Sequence, residues 1–87
     1  MREDADELSK IIAEVVNESR EPLETTEVHL KVAEAATELI KGGVTRDLLM
    51  YRLSNLRGDG VIHGKKVGPA KGVWIWWGKH VGEANKE

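Results

Sequence analysis

Apolar side chains recur with a helical period over the first two-thirds of the chain and with an extended period after it. The first stretch predicts a helix over about residues 4–18, because its apolar positions follow the i, i+3, i+4, i+7, i+8 spacing of one helix face: Leu8, Ile11, Ile12, Val15 and Val16. Pro22 follows, and a proline disfavours the helical conformation in the residue before it. The first helix is therefore expected to stop before Pro22.

A second helix is expected to begin near Thr25 or Thr26 and to extend for some 15 residues. Glu24 and Glu27 are placed to stabilise the positive end of its dipole. The stripe that this helix should bury consists of Val28, Val32, Ala36 and Leu39. The pair Gly42-Gly43 is expected to end it, because glycine favours helix C-termini.

A third helix is predicted from Arg46 to Arg57, with Thr45 placed to cap the free amides of its first turn. One side of this helix is a stripe of leucines at 49, 53 and 56. The other side is polar and is bordered by arginines: Asp47, Met50, Tyr51 and Ser54, with Arg46, Arg52 and Arg57. A helix with an apolar back and a polar, arginine-edged front suits binding in a DNA groove.

Two β-prone runs follow Gly60, at Val61–Val67 and Val73–Trp77, and a Gly/Pro-containing loop separates them. If Val67 pairs with Val73, one face carries Ile62, Gly64, Lys66, Trp74 and Trp76, and the other carries His63, Lys65, Ile75 and Trp77. Gly64 then leaves room for Trp76, which is expected to fill the core. Trp74 can stack on Lys66 or lie against nucleic acid.

These elements predict an α+β fold: a three-helix bundle with a C-terminal two-stranded β-hairpin wing. Eighty-seven residues are enough for one small domain. We expect residues 1–80 to form that domain and residues 81–87 to be a flexible tail.

Charge divides the chain into an acidic first half and a basic second half. Residues 1–41 contain five Lys or Arg and eleven Asp or Glu, which gives a net charge of −6. Residues 42–80 contain seven Lys or Arg and two Asp, which gives a net charge of +5. The overall value of −2 hides this asymmetry, which suggests a polyanionic partner for the basic half. The lysines near the wing tip can follow a phosphate backbone: Lys65, Lys66 and Lys71.

Other chemistry receives little support from the residues. The chain has no cysteine, no apolar run of the roughly 20 residues that span a bilayer, and an acidic N-terminus unlike a secretory signal. We therefore expect a cytoplasmic protein with no membrane partner. His29, His63 and His80 lie in different elements without an i, i+4 partner, and no serine or threonine has an evident base beside it. The expectation is a protein without a metal, a cofactor or enzymatic activity.

The order helix, helix, glycine turn, helix and basic two-stranded wing resembles the winged helix-turn-helix DNA-binding domains. The likeness covers residues 5–78 and is carried by Gly43-Val44-Thr45, by the leucines at 49, 53 and 56, and by Asp59-Gly60-Val61-Ile62. The second helix departs from the pattern because it is longer than the usual positioning helix. The resemblance implies a third helix in the major groove of duplex DNA and a wing on an adjacent minor groove or backbone.

On this resemblance the base-contacting residues are Arg46, Asp47, Met50, Tyr51 and Ser54, and the phosphate-binding residues are Arg52, Arg57, Lys65, Lys66 and Lys71. The expected function is that of a small transcriptional regulator on double-stranded DNA. The alternative is a winged-helix protein-interaction module within a larger assembly, because a fold alone does not decide function. A homodimer or protein partner would use the first helix, the second helix or the surface around Trp74 and Trp77.

Overall fold

The computed structural model describes residues 3–37, 43–70 and 72–78. They form three helices and a small three-stranded antiparallel sheet, which confirms the α+β class. The elements are α1 (Glu3–Glu18), β1 (Leu23–Glu24), α2 (Thr25–Ala35), α3 (Arg46–Gly58), β2 (His63–Val67) and β3 (Val73–Trp77). Leu39, Gly42, Lys71 and the predicted tail over residues 81–87 lie outside the described residues.

Helix α1 has the predicted position and the predicted buried face. Leu8, Ile12 and Val16 are at most 1% exposed, and the flanking Ile11 and Val15 are half-buried. A turn follows, in which the Ser19 hydroxyl donates to the carbonyl oxygen of Glu21 at 2.6 Å. The helix thus stops before Pro22, as the proline predicted.

Strand β1 is an element that the sequence did not predict, so the two-stranded sheet expected above is corrected to three strands. Leu23 pairs with Trp76 and Glu24 pairs with Ile75, which places β1 on the free side of β3. The strand has two residues, too few for an alternating pattern to be visible. Its pairing depends on β3, about 50 positions later in the chain, and so is a tertiary contact.

Helix α2 begins where expected, but it is shorter than predicted. Its N-terminus forms a capping box in which the Glu24 amide donates to Oε1 of Glu27 at 2.9 Å. The helix has 11 residues and ends at Ala35, so the expectation of some 15 residues is wrong. The Thr37 hydroxyl donates to the carbonyl oxygens of Ala33 and Glu34 at 2.9 and 3.1 Å. Such side-chain bonds compete with continued helical bonding, which explains the early end.

Helix α3 confirms the predicted cap and the predicted leucine stripe. Oγ1 of Thr45 accepts from the Leu48 amide at 3.1 Å. The leucines at 49, 53 and 56 are buried. The helix ends at Gly58, and Gly60 then adopts a φ of +81°, which glycine tolerates without strain.

The segment before α3 is fixed to α2 by His29. Its Nε2–H donates to the carbonyl oxygen of Val44 at 2.5 Å. Val44 itself is buried, with 6% of its surface exposed. This contact sets where the first turn of α3 starts relative to α2.

The hairpin has the predicted register. Val67 pairs with Val73 and Gly64 pairs with Trp76, in a sheet with the strand order β1-β3-β2. The predicted separation of faces is therefore confirmed, because cross-strand partners point to the same side of a sheet. The face with Gly64 and Trp76 packs on the helices.

Trp76 is the largest fully buried side chain among the described residues, with 1% of its surface exposed. Its ring occupies the space over Gly64: a Cβ at that position would lie 2.6 Å from Cζ3 of the indole. The indole Nε1–H donates to Oγ1 of Thr25 at 2.9 Å, and the Thr25 hydroxyl donates to the carbonyl oxygen of Trp74 at 3.3 Å. Thr25, only 2% exposed, therefore joins the first turn of α2 to the central strand.

We predict that Thr25→Val lowers the free energy of unfolding by roughly 1–3 kcal/mol, because the buried indole N–H loses its acceptor while side-chain volume is kept. Thr25→Ser is the control: it keeps the hydroxyl, removes one methyl group and should cost about 1 kcal/mol. Urea denaturation of the three proteins measures the difference. A Thr25→Val protein at least as stable as Thr25→Ser would show that this hydrogen bond contributes no stability.

Candidate nucleic-acid interface

The side of α3 opposite its leucines is exposed and polar. Asp47, Tyr51 and Ser54 are all exposed, and Tyr51 keeps 61% of its surface accessible. At about 100° per residue, these three side chains leave the helix within about 60° of one another. We call them, together with Asn55, the α3 face. They are placed to enter a groove as one surface.

Met50 lies at the edge of the α3 face and is half-buried. Its Sδ is 3.9 Å from the hydroxyl oxygen of Thr25, and its side chain packs against the core. Part of the Met50 side chain is therefore buried. The structure places Met50 beside the polar surface, with only its outer part accessible to solvent.

Trp74 of β3 contacts the end of α3. Its ring stacks on that of Trp76, with centroids 5.2 Å apart and an interplanar angle of 18°. The cation over it is Arg57, whose Cζ lies 5.3 Å from the Trp74 centroid. Arg57 also donates from Nε to the carbonyl oxygen of Gly64 at 3.0 Å. The arginine at the end of α3 therefore contacts both strands of the hairpin.

Arg46 and Trp74 line one cleft between α3, the start of α2 and the start of β3. Nη1 of Arg46 donates to Oγ1 of Thr26 at 3.4 Å. The cleft has a volume of about 310 Å³, and its lining residues are Glu24, Thr25, Thr26, Arg46, Met50, Gly72, Val73 and Trp74. Arg46 and Arg57 thus lie on the same border of α3, the one that adjoins the hairpin.

Lys66 continues this cationic border onto the hairpin. It pairs with Trp74 and shares the face of Trp74 and Trp76. It is exposed, so its ammonium group is free to meet solvent or a phosphate. We call Arg46, Arg57 and Lys66 the basic ridge. All three belong to the predicted site, and Trp74 connects them.

Lys65 and Arg52 also belong to the predicted site, but they lie outside the basic ridge. Lys65 pairs with Ile75 and lies on the opposite face of the hairpin from Lys66. Arg52 lies on the other border of α3, where its Nε is buried and has no hydrogen-bond partner. Its Cζ is 5.6 Å from the ring centroid of Tyr51. Lys71 lies outside the described residues, so its placement is not tested.

Trp74 and Trp77 do not form one surface, although the sequence grouped them as a partner site. Trp74 belongs to the face that packs on the helices, whereas Trp77 lies on the opposite side of β3. There Trp77 stacks on His63, with centroids 5.9 Å apart and an interplanar angle of 26°. The physical reason is the two-residue period of a strand, which places positions 74 and 77 on opposite sides.

Two residues of the candidate interface were not predicted from the sequence. Asn55 is exposed one turn after Tyr51, and its amide can pair with adenine. Asn55 comes four residues after Tyr51, and this spacing places the two side chains on the same face of a helix. The sequence therefore contained the information needed to predict it. Thr26 supports Arg46 from α2, and a contact between residues 20 positions apart leaves no periodic signal in a sequence.

Within residues 3–37, 43–70 and 72–78, no cluster of three or more His, Asp or Glu is arranged to hold a metal ion. No helix among these residues is both long enough and apolar enough to cross a membrane. No family model, curated protein or solved structure matches the chain.

We predict that Arg57→Ala loosens the hairpin on α3, because it removes both the stacking on Trp74 and the hydrogen bond to Gly64. The expected loss is about 1–2 kcal/mol of unfolding free energy. Acrylamide quenching of tryptophan fluorescence should rise as the Trp74 ring becomes accessible.

Arg46→Ala is the matched control for Arg57→Ala. It removes the same charge from the same border of α3, but the hydrogen bond that it removes is to Thr26 of α2 and not to the hairpin. Its stability should stay within about 0.5 kcal/mol of the parent protein. Equal quenching and equal stability in the two variants would contradict a positioning effect of Arg57.

Proposed function

We propose that this chain is a winged helix-turn-helix protein that binds duplex DNA and acts as a small transcriptional regulator. The order of three helices followed by a hairpin supports this fold assignment. In the proposed complex α3 enters the major groove, and the hairpin lies along the neighbouring backbone. The hydrogen bond from Arg57 to the carbonyl oxygen of Gly64 joins these two elements.

The observation that carries the proposal is the basic ridge beside the α3 face. Its three cations, from two elements, border an exposed polar helix surface that holds one acidic residue, Asp47. Cations that border a polar surface can bind phosphates while the polar groups contact base edges. The asymmetry of net charge between the two halves of the chain supports the same partner.

The two borders of α3 also fit the dimensions of a groove. The major groove is about 12 Å wide, close to the diameter of a helix with its side chains. Arg46 and Arg57 on one border would approach one strand, and Arg52 on the other border would approach the opposite strand.

The side chains of the α3 face supply the chemistry for base contacts. Asp47 can accept from the amino group of cytosine, Asn55 can pair with adenine, and Arg46 can pair with guanine. The exposed Tyr51 can pack in the groove, and Ser54 can donate or accept. The outer part of Met50 can contact a thymine methyl group. Lys66 is proposed to bind phosphate and to contribute no sequence preference.

A winged-helix module that binds another protein remains the second candidate. The observation in its favour is Leu30, which is 67% exposed on α2. It adjoins a shallow depression of about 520 Å³ that is lined by Leu30, Lys31, Ala33, Glu34 and Thr37. This surface is remote in sequence from the basic ridge. The dependence of DNA binding on salt separates the two candidates.

We predict salt-sensitive binding to random-sequence duplex DNA. If about 4–6 basic residues neutralise phosphates, the logarithm of the affinity should fall against the logarithm of salt concentration with a slope of about −4 to −5. Between about 50 and 200 mM salt this is a loss of roughly 250- to 1,000-fold. Fluorescence anisotropy of a labelled duplex measures it. No binding at the lower salt concentration, or binding indifferent to salt, would remove DNA as the partner.

We predict that Tyr51→Ala reduces discrimination between sequences, once a preferred site has been selected from random duplexes. A lost base contact should cost roughly 1–3 kcal/mol at that site and little elsewhere. Lys66→Ala is the matched control, because a lost phosphate contact should weaken all duplexes about equally. Both side chains are exposed, so both variants should keep the parent melting temperature. A uniform loss in Tyr51→Ala would argue against a base-contacting α3 face.

A further inference from the structure

The sheet has a second surface that DNA binding by α3 does not use. It is the side turned away from Trp76 and the helices, and we call it the outer face. Cross-strand pairing and strand alternation assign to it Glu24 from β1, His63, Lys65 and Val67 from β2, and Val73, Ile75 and Trp77 from β3.

The centre of the outer face is apolar along a whole strand. Val73 is 45% exposed, and Ile75 and Trp77 are half-buried. An antiparallel sheet with one solvated face normally alternates apolar residues inward with polar residues outward. Here every outward position of β3 is apolar. Such a patch with charged neighbours is typical of an interaction surface.

The two strands that flank this apolar strand carry opposite charges on the outer face. Ile75 pairs with Lys65 on one side and with Glu24 on the other. One row across the sheet therefore reads cation, isoleucine, anion. Lys65 and Glu24 are both exposed, and the Glu24 side chain also accepts from the backbone of Glu27 in the capping box of α2.

We propose that the outer face binds the outer face of a second copy of this chain, about a two-fold axis parallel to β3. A rotation about that axis exchanges the left and right edges of the facing sheet. Lys65 of each copy then lies opposite Glu24 of the other, and the two Ile75 side chains meet at the axis. The contact is isologous, as in most homodimers.

The charge pattern favours this axis over an axis perpendicular to the strands. A two-fold axis in the plane of the sheet but perpendicular to the strands would place Lys65 opposite Lys65 and Glu24 opposite Glu24. Like charges held face to face oppose association. The same row argues against nucleic acid on this face, because Glu24 would repel the phosphates that Lys65 attracts.

The size of the outer face predicts a weak dimer. Five residues of β3 span about 17 Å, and three strands span about 14 Å, so the footprint is on the order of 250 Å² per copy. Stable interfaces bury about 800 Å² of accessible surface per partner. We therefore expect a dissociation constant in the range of roughly micromolar to millimolar.

Sedimentation equilibrium of the full chain without DNA, at protein concentrations across that range, tests the proposal. The parent protein should pass from monomer to dimer. Ile75→Lys should remain monomeric throughout, because it places two cations at the axis. A parent protein that is monomeric at every concentration, or an Ile75→Lys protein that dimerises like the parent, would overturn the proposal.

Charge reversal tests the predicted pairing itself. Lys65→Glu and Glu24→Lys should each weaken self-association by about tenfold, because each faces like charges across the axis. An equimolar mixture of the two variants restores both opposite-charge pairs, so it should dimerise within about threefold of the parent. Lys66→Glu, the same change one residue along β2 but on the inner face, should leave the dimer unchanged. A mixture no better than its components would overturn the two-fold arrangement.

Circular dichroism verifies that each variant is folded. Glu24 lies at the start of α2, so if Glu24→Lys fails to fold, the decision rests on the other substitutions. Lys65→Glu must then weaken the dimer by about tenfold while Lys66→Glu does not. Equal effects at positions 65 and 66 would overturn the proposal. Since no DNA is present, the outcome is independent of whether the chain binds DNA.

Discussion

The position of Trp76 is the constraint on which the rest of the structure depends. Its indole fits over Gly64, where any Cβ would collide with the ring, and its N–H is satisfied by the buried hydroxyl of Thr25. The same hydroxyl donates to the backbone of β3 at Trp74. One side chain and one hydroxyl therefore fix the sheet on the helices. A buried indole N–H without that acceptor would carry a desolvation cost, so this packing specifies one arrangement.

The candidate interface follows from that packing. With Trp76 buried, alternation places Trp74 on the same side of β3, at the border of α3. Arg57 can then stack on Trp74 and reach the carbonyl oxygen of Gly64, so the last turn of α3 and the hairpin are held together. Arg46 lies along the same border. The basic ridge is therefore a consequence of how the core is filled, and its cations are presented on elements whose relative orientation is fixed.

The hairpin separates two proposed activities by the two-residue period of its strands. Lys66 belongs to the inner face and to the basic ridge, whereas Lys65 belongs to the outer face and to the proposed dimer contact. A nucleic-acid surface and a self-association surface can thus occupy the same ten strand residues without competing. If both proposals hold, two copies would present two α3 helices, and DNA binding would gain from the linkage of two sites.

The sequence by itself determined the elements with strong local signals. The helical period placed α1, Thr45 and the leucines placed α3, and the loop between Val67 and Val73 set the hairpin register, because period, caps and turns act over a few residues. The tertiary structure alone decided the rest. It added β1, whose two residues form a strand only because β3 lies beside them. It placed Arg57, and not Lys66, over the ring of Trp74. These features depend on contacts between residues far apart in the chain, and a periodic pattern along one segment carries no information about which distant segment packs against it.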